Sequence, residues 1–227
     1  MTTETTTNSA AETKAAGAPD LRAQLFAAQS WYADLVGATT DDQRSDPTPC
    51  PDYDVRALLA HMDTVNSKIT GFGLEHRDIF SDHELPVHQR AAHAETYAAD
   101  HIDGRTASEL AEVVRSESLA AQRAWTDAVL DTPIQLGWGP ILPGRVVTAI
   151  YVMEVLSHAW DLATATGQPT EAPDGLGVVG LAAARSCLPD EMPRGIAHGV
   201  PFGPKVEPAP DAGPTEAMVN WTGRASR

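Results

Sequence analysis

The sequence predicts an all-α protein built on a four-helix bundle. Three observations point there. Four stretches of bundle length carry apolar residues at helical spacing, they fall into pairs separated by longer connections, and one short segment, residues 134–145, alternates as a small hairpin or extended loop would.

In order along the chain, residues 1–19, rich in Thr, Ala, Glu and Asn, read as a disordered tail, and residues 20–227 as one domain. Asp20 offers a cap for a helix over 21–36, where Leu21, Leu25, Ala28, Trp31, Tyr32 and Leu35 recur at helical spacing and Gly37 ends the run. The Pro-punctuated residues 41–53 predict irregular chain. Asp54 then caps a second helix that should fade near Gly71 and Gly73. Residues 74–103 are weakly patterned, with a short helix expected over 89–101. A strong helix follows over 106–129, with Ser108 near its start and Leu110, Val113, Val114, Leu119, Ala124, Trp125 and Val129 as its stripe, and Pro133 stops it. The Gly- and Pro-studded hairpin segment feeds a helix over 146–166 closed by Gly167. A further helix over 176–187 and a Pro-rich run through Pro214 form a C-terminal extension wrapped over the surface.

Composition narrows the function classes. The 227 residues hold 16 Lys plus Arg against 31 Asp plus Glu, a net charge of −15 that stays negative even with all 8 His protonated. Such a chain repels phosphate backbones and anionic headgroups, so neither nucleic acid nor a membrane surface is an expected partner. Cys50 and Cys187 are too few for a disulfide framework and form no CxxC pair, which fits a reduced cytoplasm. No basic and apolar leader opens the chain, and no stretch approaches a membrane span. There is no GxSxG elbow, no Walker lysine and no GxGxxG after a strand, so serine hydrolysis and nucleotide chemistry lack support.

The chemistry concentrates at Glu154 and His158. Four residues apart on a helix, they share one face. Such pairs are commonly solvated or ion-paired neighbours, but here Tyr151, Val152, Val155, Leu156, Ala159 and Leu162 surround them, and an unpaired charge on apolar surface is costly. His61 stands likewise among Leu58, Leu59, Met62 and Val65. Taken alone it reads as a hydrogen-bonded core histidine. A metal ion would satisfy all three groups at once, and three N/O ligands with a vacant fourth position are how zinc is held for chemistry. Asp161, one turn beyond His158, is placed either to accept the second ring N–H of a ligand histidine or simply to end the helix with a polar group. Cys50 precedes the cap of the His61 helix by too much chain for a fourth ligand, which favours a packing role. His76, His83, His88, His93 and His101 fit no common metal spacing. Arg56 and Arg145 are candidates for gripping a substrate carboxylate, with an ordinary surface role as the plainer reading.

Two runs also carry a resemblance. Pro47-Thr-Pro-Cys-Pro-Asp-Tyr-Asp-Val-Arg-Ala-Leu-Leu-Ala-His and, far downstream, Glu154-Val-Leu-Ser-His-Ala-Trp-Asp-Leu-Ala-Thr-Ala-Thr-Gly resemble the actinobacterial metal-binding proteins of the DinB-like superfamily, whose relatives include mycothiol-dependent maleylpyruvate isomerase and mycothiol S-transferases. Pro201-Phe-Gly-Pro-Lys-Val and Thr222-Gly-Arg look like that group's closing motifs. The resemblance implies a DinB-like four-helix bundle and a divalent metal, zinc above others, on His61, Glu154 and His158. It implies mycothiol as the thiol cosubstrate. Where those proteins carry Trp before the His61 helix, this chain has Tyr53.

The expected reaction is addition of a zinc-activated thiolate to an electrophilic carbon of a small molecule, ending in a thioether or, after elimination, in an isomerised double bond. Two other functions stay open at this level: a zinc hydrolase using activated water, and a non-enzymatic metal-binding protein. The residues specify neither the electrophile nor the oligomeric state, and a homodimer stays open.

Overall fold

A computed structural model describes residues 17–80, 96–97, 99–198, 200 and 202–226. Four helices form the bundle: α1 (Arg22–Ala38), α2 (Val55–Glu75), α3 (Ala107–Ala124) and, after a short helix α4 (Asp127–Asp131), the long α5 (Gly144–Thr166). α1 packs on α3 and α5, and α2 packs on the same two, so the core is the seam of all four. β1 (Pro133–Gln135) and β2 (Ile141–Pro143) pair antiparallel as the expected hairpin, with Ile134 opposite Leu142. α6 (Leu176–Cys187) lies against α5, and α7 (Pro214–Trp221) lies against both α5 and α6.

The elements form for local reasons. Asp54 caps α2, its carboxylate accepting the Ala57 amide at 2.8 Å. Thr106 and Glu109 close a reciprocal capping box at the start of α3. Gly167 ends α5 at φ 70°, a left-handed conformation that glycine takes without strain. α5 is long and apolar enough to cross a membrane by length and composition alone. Its most apolar window is 83% buried inside the bundle, as a core helix would be.

Several boundaries differ from those expected. Leu21 occupies the cap position of α1, although Asp20 still accepts the Arg22 amide at 3.1 Å, and Gly37 lies inside the helix. α2 continues through Gly71 and Gly73 to Glu75, because packing against Ile79 and Ala124 leaves room only for hydrogen at those two positions. Residues 41–45 form a 3₁₀ turn, with Thr40 and Gln43 as its capping box. The expected helix over 106–129 breaks at Trp125, whose indole N–H donates to the Ile69 carbonyl at 2.8 Å. Its stripe is also narrower than expected, since Leu119 is exposed and Ser118 is buried. α7 was not foreseen. A Pro-rich approach masked a helix that begins on Pro214, where the missing N–H has no partner to lose. The expected tail falls almost wholly on residues 1–16, and most of the expected helix over 89–101 also lies outside the described residues. Residues 96–97 and 99–101 are helical.

Gly144 opens α5 against the end of α4. A Cβ there would stand 2.1 Å from the Val129 carbonyl oxygen and 3.1 Å from Leu130 Cα, both backbone atoms that cannot swing aside. Gly144→Ala is therefore expected to destabilise the protein by about 1–3 kcal/mol, the range of core overpacking, seen as a lower urea midpoint at unchanged slope.

Candidate metal centre

α2 and α5 bring His61, Glu154 and His158 together, with one potential ligand atom of each lying within 4.8 Å of the others. His61 Nε2 is 3.3 Å from Glu154 Oε1, and His158 Nε2 is 3.4 Å from the same oxygen. The outer ring nitrogens have partners too. His158 Nδ1 lies 3.0 Å from Asp161 Oδ2, and His61 Nδ1 lies 3.4 Å from the Tyr53 hydroxyl. With an ion at the two Nε2 atoms, each Nδ1–H would be left to donate outward, to Asp161 and to the Tyr53 hydroxyl, which is the tautomer arrangement of metal-ligating histidines. A tetrahedral ion with ligand bonds of about 2.0–2.1 Å separates neighbouring donors by roughly 3.3 Å. The two separations from Glu154 Oε1 match that spacing, and all three donors lie within 4.8 Å of one another, so an ion of zinc's size fits among them.

The loop before α2 places the tyrosine. Pro47 bridges to Asp54, and Thr48 Oγ1 donates to the Tyr53 carbonyl at 2.7 Å, which folds residues 47–54 back on themselves. The Tyr53 ring then stacks on His61 with centroids 4.9 Å apart, and His61 and His158 meet edge to face at 4.8 Å. The same fold-back brings Cys50 closer to the site than the helix rise implied, without making it a ligand of the His61, Glu154 and His158 group. Its sulfur comes within 4.8 Å of ligand atoms of His158 and Asp161, forming a second potential cluster that shares His158. That cluster suits a cation poorly, because Asp161 Oδ2 is already 3.0 Å from both His158 Nδ1 and the guanidinium of Arg224. Burial pushes the Cys50 thiol up to about 11.

Arg224 is the site residue that sequence reasoning missed. It is buried, 9% exposed, and its Nη2 and Nε reach the two oxygens of fully buried Asp161 at 3.0 and 3.4 Å. The Thr222-Gly-Arg motif marked the position without indicating that the C-terminus returns beneath α5. Of the other candidates, Arg56 pairs with Asp103 at 2.7 Å and Arg145 with Asp131 at 2.7 Å. His76 is the left-handed residue closing α2, and His101 stacks on Tyr97 at 3.9 Å. His83, His88 and His93 lie outside the described residues.

Electrostatics follow from this crowding. Burial would raise Glu154, but His158 and then His61 outweigh it and hold the carboxyl well below its ordinary range. Burial would lower His158, but Glu154 and Asp161 outweigh it and raise the imidazole to about 9. For His61 burial wins, and its proton affinity falls below the ordinary 6.5. In metal-free protein the His158 contribution to stability is complete below pH 6.5 and is lost as pH rises through 9. His61 acts on the other side, since below pH 6.5 the unfolded chain takes a proton that the folded one resists. Chelator-treated protein is thus expected to lose stability as pH rises from 6.5 to 9, with a limiting slope of ~1.4 kcal/mol per unit from this one group. Urea midpoints at the two pH values check this.

His61 and Glu154 remain 25% and 20% exposed, whereas His158 is 6% exposed, so the centre opens to solvent on the His61 side. A family model for the mycothiol maleylpyruvate isomerase N-terminal domain matches residues 25–163, which include His61, Glu154, His158 and Asp161. Uncharacterized proteins from two strains of Mycobacterium tuberculosis are 29% identical over 201 residues, covering 88% of this chain and 95% of theirs. No solved structure matches. The match over more than half its length shows that the chain belongs to the mycothiol maleylpyruvate isomerase N-terminal domain family, within the DinB-like superfamily.

Proposed function

We propose that the protein is a zinc-dependent enzyme of the cytoplasm that activates a low-molecular-weight thiol, mycothiol by family, for addition to an electrophilic small molecule. The observation that carries this reading is the convergence of two Nε2 atoms on one Glu154 oxygen, at 3.3 and 3.4 Å, on a side of the bundle that solvent reaches. Zinc held by His61, Glu154 and His158 would lower the pKa of a coordinated thiol, making thiolate available at neutral pH.

The chain's own residues do the rest. Two neutral imidazoles and one carboxylate leave a net positive centre, which favours an anionic ligand over a neutral one. Asp161, anchored by Arg224, fixes the His158 ring, and Tyr53 packs on the His61 ring and meets its Nδ1. Tyr151, about one turn before Glu154 on α5, is buried in edge contact with Phe72, ring centroids 5.1 Å apart, so the helix face next to the carboxylate is apolar. After the new carbon–sulfur bond forms, a proton from solvent completes a thioether. Alternatively, loss of the thiol from the rotated adduct yields the isomerised alkene.

The test is thiol dependence. Purified protein loaded with zinc should consume an electrophile only when mycothiol is supplied, and chelation should abolish turnover. Turnover that proceeds at the same rate without thiol would reject this reading in favour of hydrolysis.

A further inference from the structure

Five large apolar side chains are exposed among the described residues, and three of them, Leu74, Trp138 and Ile141, fall at one end of the bundle. Hydrogen bonds bring them there. Gln135 on β1 donates its amide to the His76 carbonyl at 3.0 Å, accepts the Asp78 amide at 2.8 Å, and stands opposite Ile141 in the hairpin register. Leu74, in the last turn of α2, therefore ends beside the hairpin, and Trp138 occupies the hairpin turn, which the Leu136 amide closes on the Pro140 carbonyl at 2.9 Å. Single exposed apolar residues are ordinary on a protein surface, whereas a group of three at one end is not. The core does not require them, because Ile134 and Leu136 already supply the hairpin's buried side chains.

Charge sets this end apart as well. Residues 132–144 contain no charged side chain, in a protein with a net charge of −15. The charges that border them cancel. Asp131 pairs with Arg145 at 2.7 Å, Lys68 lies 3.0 Å from the buried Asp78, and exposed Glu75 and Arg77 contribute one of each sign. Neither Glu75 nor Arg77 enters an ion pair among the described residues. Two copies of an acidic chain repel one another over about a Debye length, ~8 Å at physiological salt, and at a neutral end that repulsion is small. A two-fold contact places the same patch on both sides of the interface, so its charges must complement themselves. Glu75 and Arg77, opposite in sign and two residues apart, meet that condition.

We propose that this end of the bundle is a two-fold docking surface for a second copy of the chain, with Leu74, Trp138 and Ile141 as its apolar centre and Glu75 of each copy facing Arg77 of the other. An aromatic centre with charge kept to the rim is the composition of protein interfaces. A hairpin and one helix end bury little area, so the dimer is of the weak kind that exchanges with monomer. Because the hairpin leads into α5, the contact would brace the end of the helix that carries Glu154 and His158.

Sedimentation equilibrium of the full-length protein, over micromolar to sub-millimolar concentrations, tests this. The weight-average mass should rise from one chain toward two. Trp138→Glu, which puts a charge at the apolar centre, should weaken association about tenfold or more, as loss of a central aromatic anchor does. Ile141→Glu should do the same, and it carries the test if circular dichroism shows that Trp138→Glu disturbs the fold. Glu75→Arg sets like charges across the axis and should also weaken association, and combining it with Arg77→Glu should restore the dimer. A protein that stays monomeric throughout would overturn the proposal, leaving the patch to another segment of the chain or to a different partner. So would a mass that climbs past two chains, a dimer indifferent to both glutamate variants, or a charge exchange that fails to recover association.

Discussion

Glu154→Gln is expected to reduce zinc from about one ion per chain to below a tenth, with thiol-dependent turnover lost in step. Both imidazole Nε2 atoms approach Glu154 Oε1, at 3.3 and 3.4 Å, and the amide keeps its size while removing the only negative charge of the three proposed ligands. Two neutral imidazoles cannot hold a divalent ion at this vacant-position site with comparable strength. Elemental analysis after gel filtration checks the prediction, and circular dichroism should show the helices retained. A variant that keeps its full complement of zinc would remove Glu154 from the site.

Arg224→Met should cost about 3 kcal/mol of unfolding free energy, the lower end for breaking a buried ion pair. The methionine fills the guanidinium's space beside Phe202 but leaves Asp161, which has no solvent exposure, with His158 as its remaining charged partner. Because zinc binding makes His158 neutral, the loss should be larger in the loaded protein than in the chelated one. Replacing both residues, Asp161→Asn with Arg224→Met, should restore part of the stability, since the orphaned charge is then gone. Asp161→Asn alone should weaken zinc binding roughly 10–100-fold, as loss of a ligand-orienting partner does elsewhere. Urea unfolding with and without chelator, beside competitive zinc titration, separates the two effects.

Residues whose placement follows from local periodicity were legible in the sequence. The i,i+4 spacing puts Glu154 and His158 on one face of any helix that contains them, and Asp54 announces the start of the helix that carries His61. Cys50 was not legible, because an argument from helix rise assumes a straight approach, and the Pro47 to Asp54 bridge folds the loop back toward the site. Nor was the break at Trp125, where a tertiary hydrogen bond to Ile69 outweighs an uninterrupted helical pattern. Arg224 lay furthest from reach. Its partner is 63 residues away, and nothing in a Pro-rich tail specifies which buried carboxylate it will meet.

The sequence by itself determined the all-α class, the bundle helices, the Asp54 cap and the Gly167 stop, because hydrogen bonding and apolar periodicity act over a few residues. Only the tertiary structure decided that Asp161 is clamped between His158 and Arg224, that Tyr53 stacks on His61, and that Lys68 pairs with the buried Asp78. Each of these joins segments distant in the chain or redirected by a turn. A buried charge takes whichever opposite charge the packing of apolar surfaces brings within reach, and that choice is made by the whole fold.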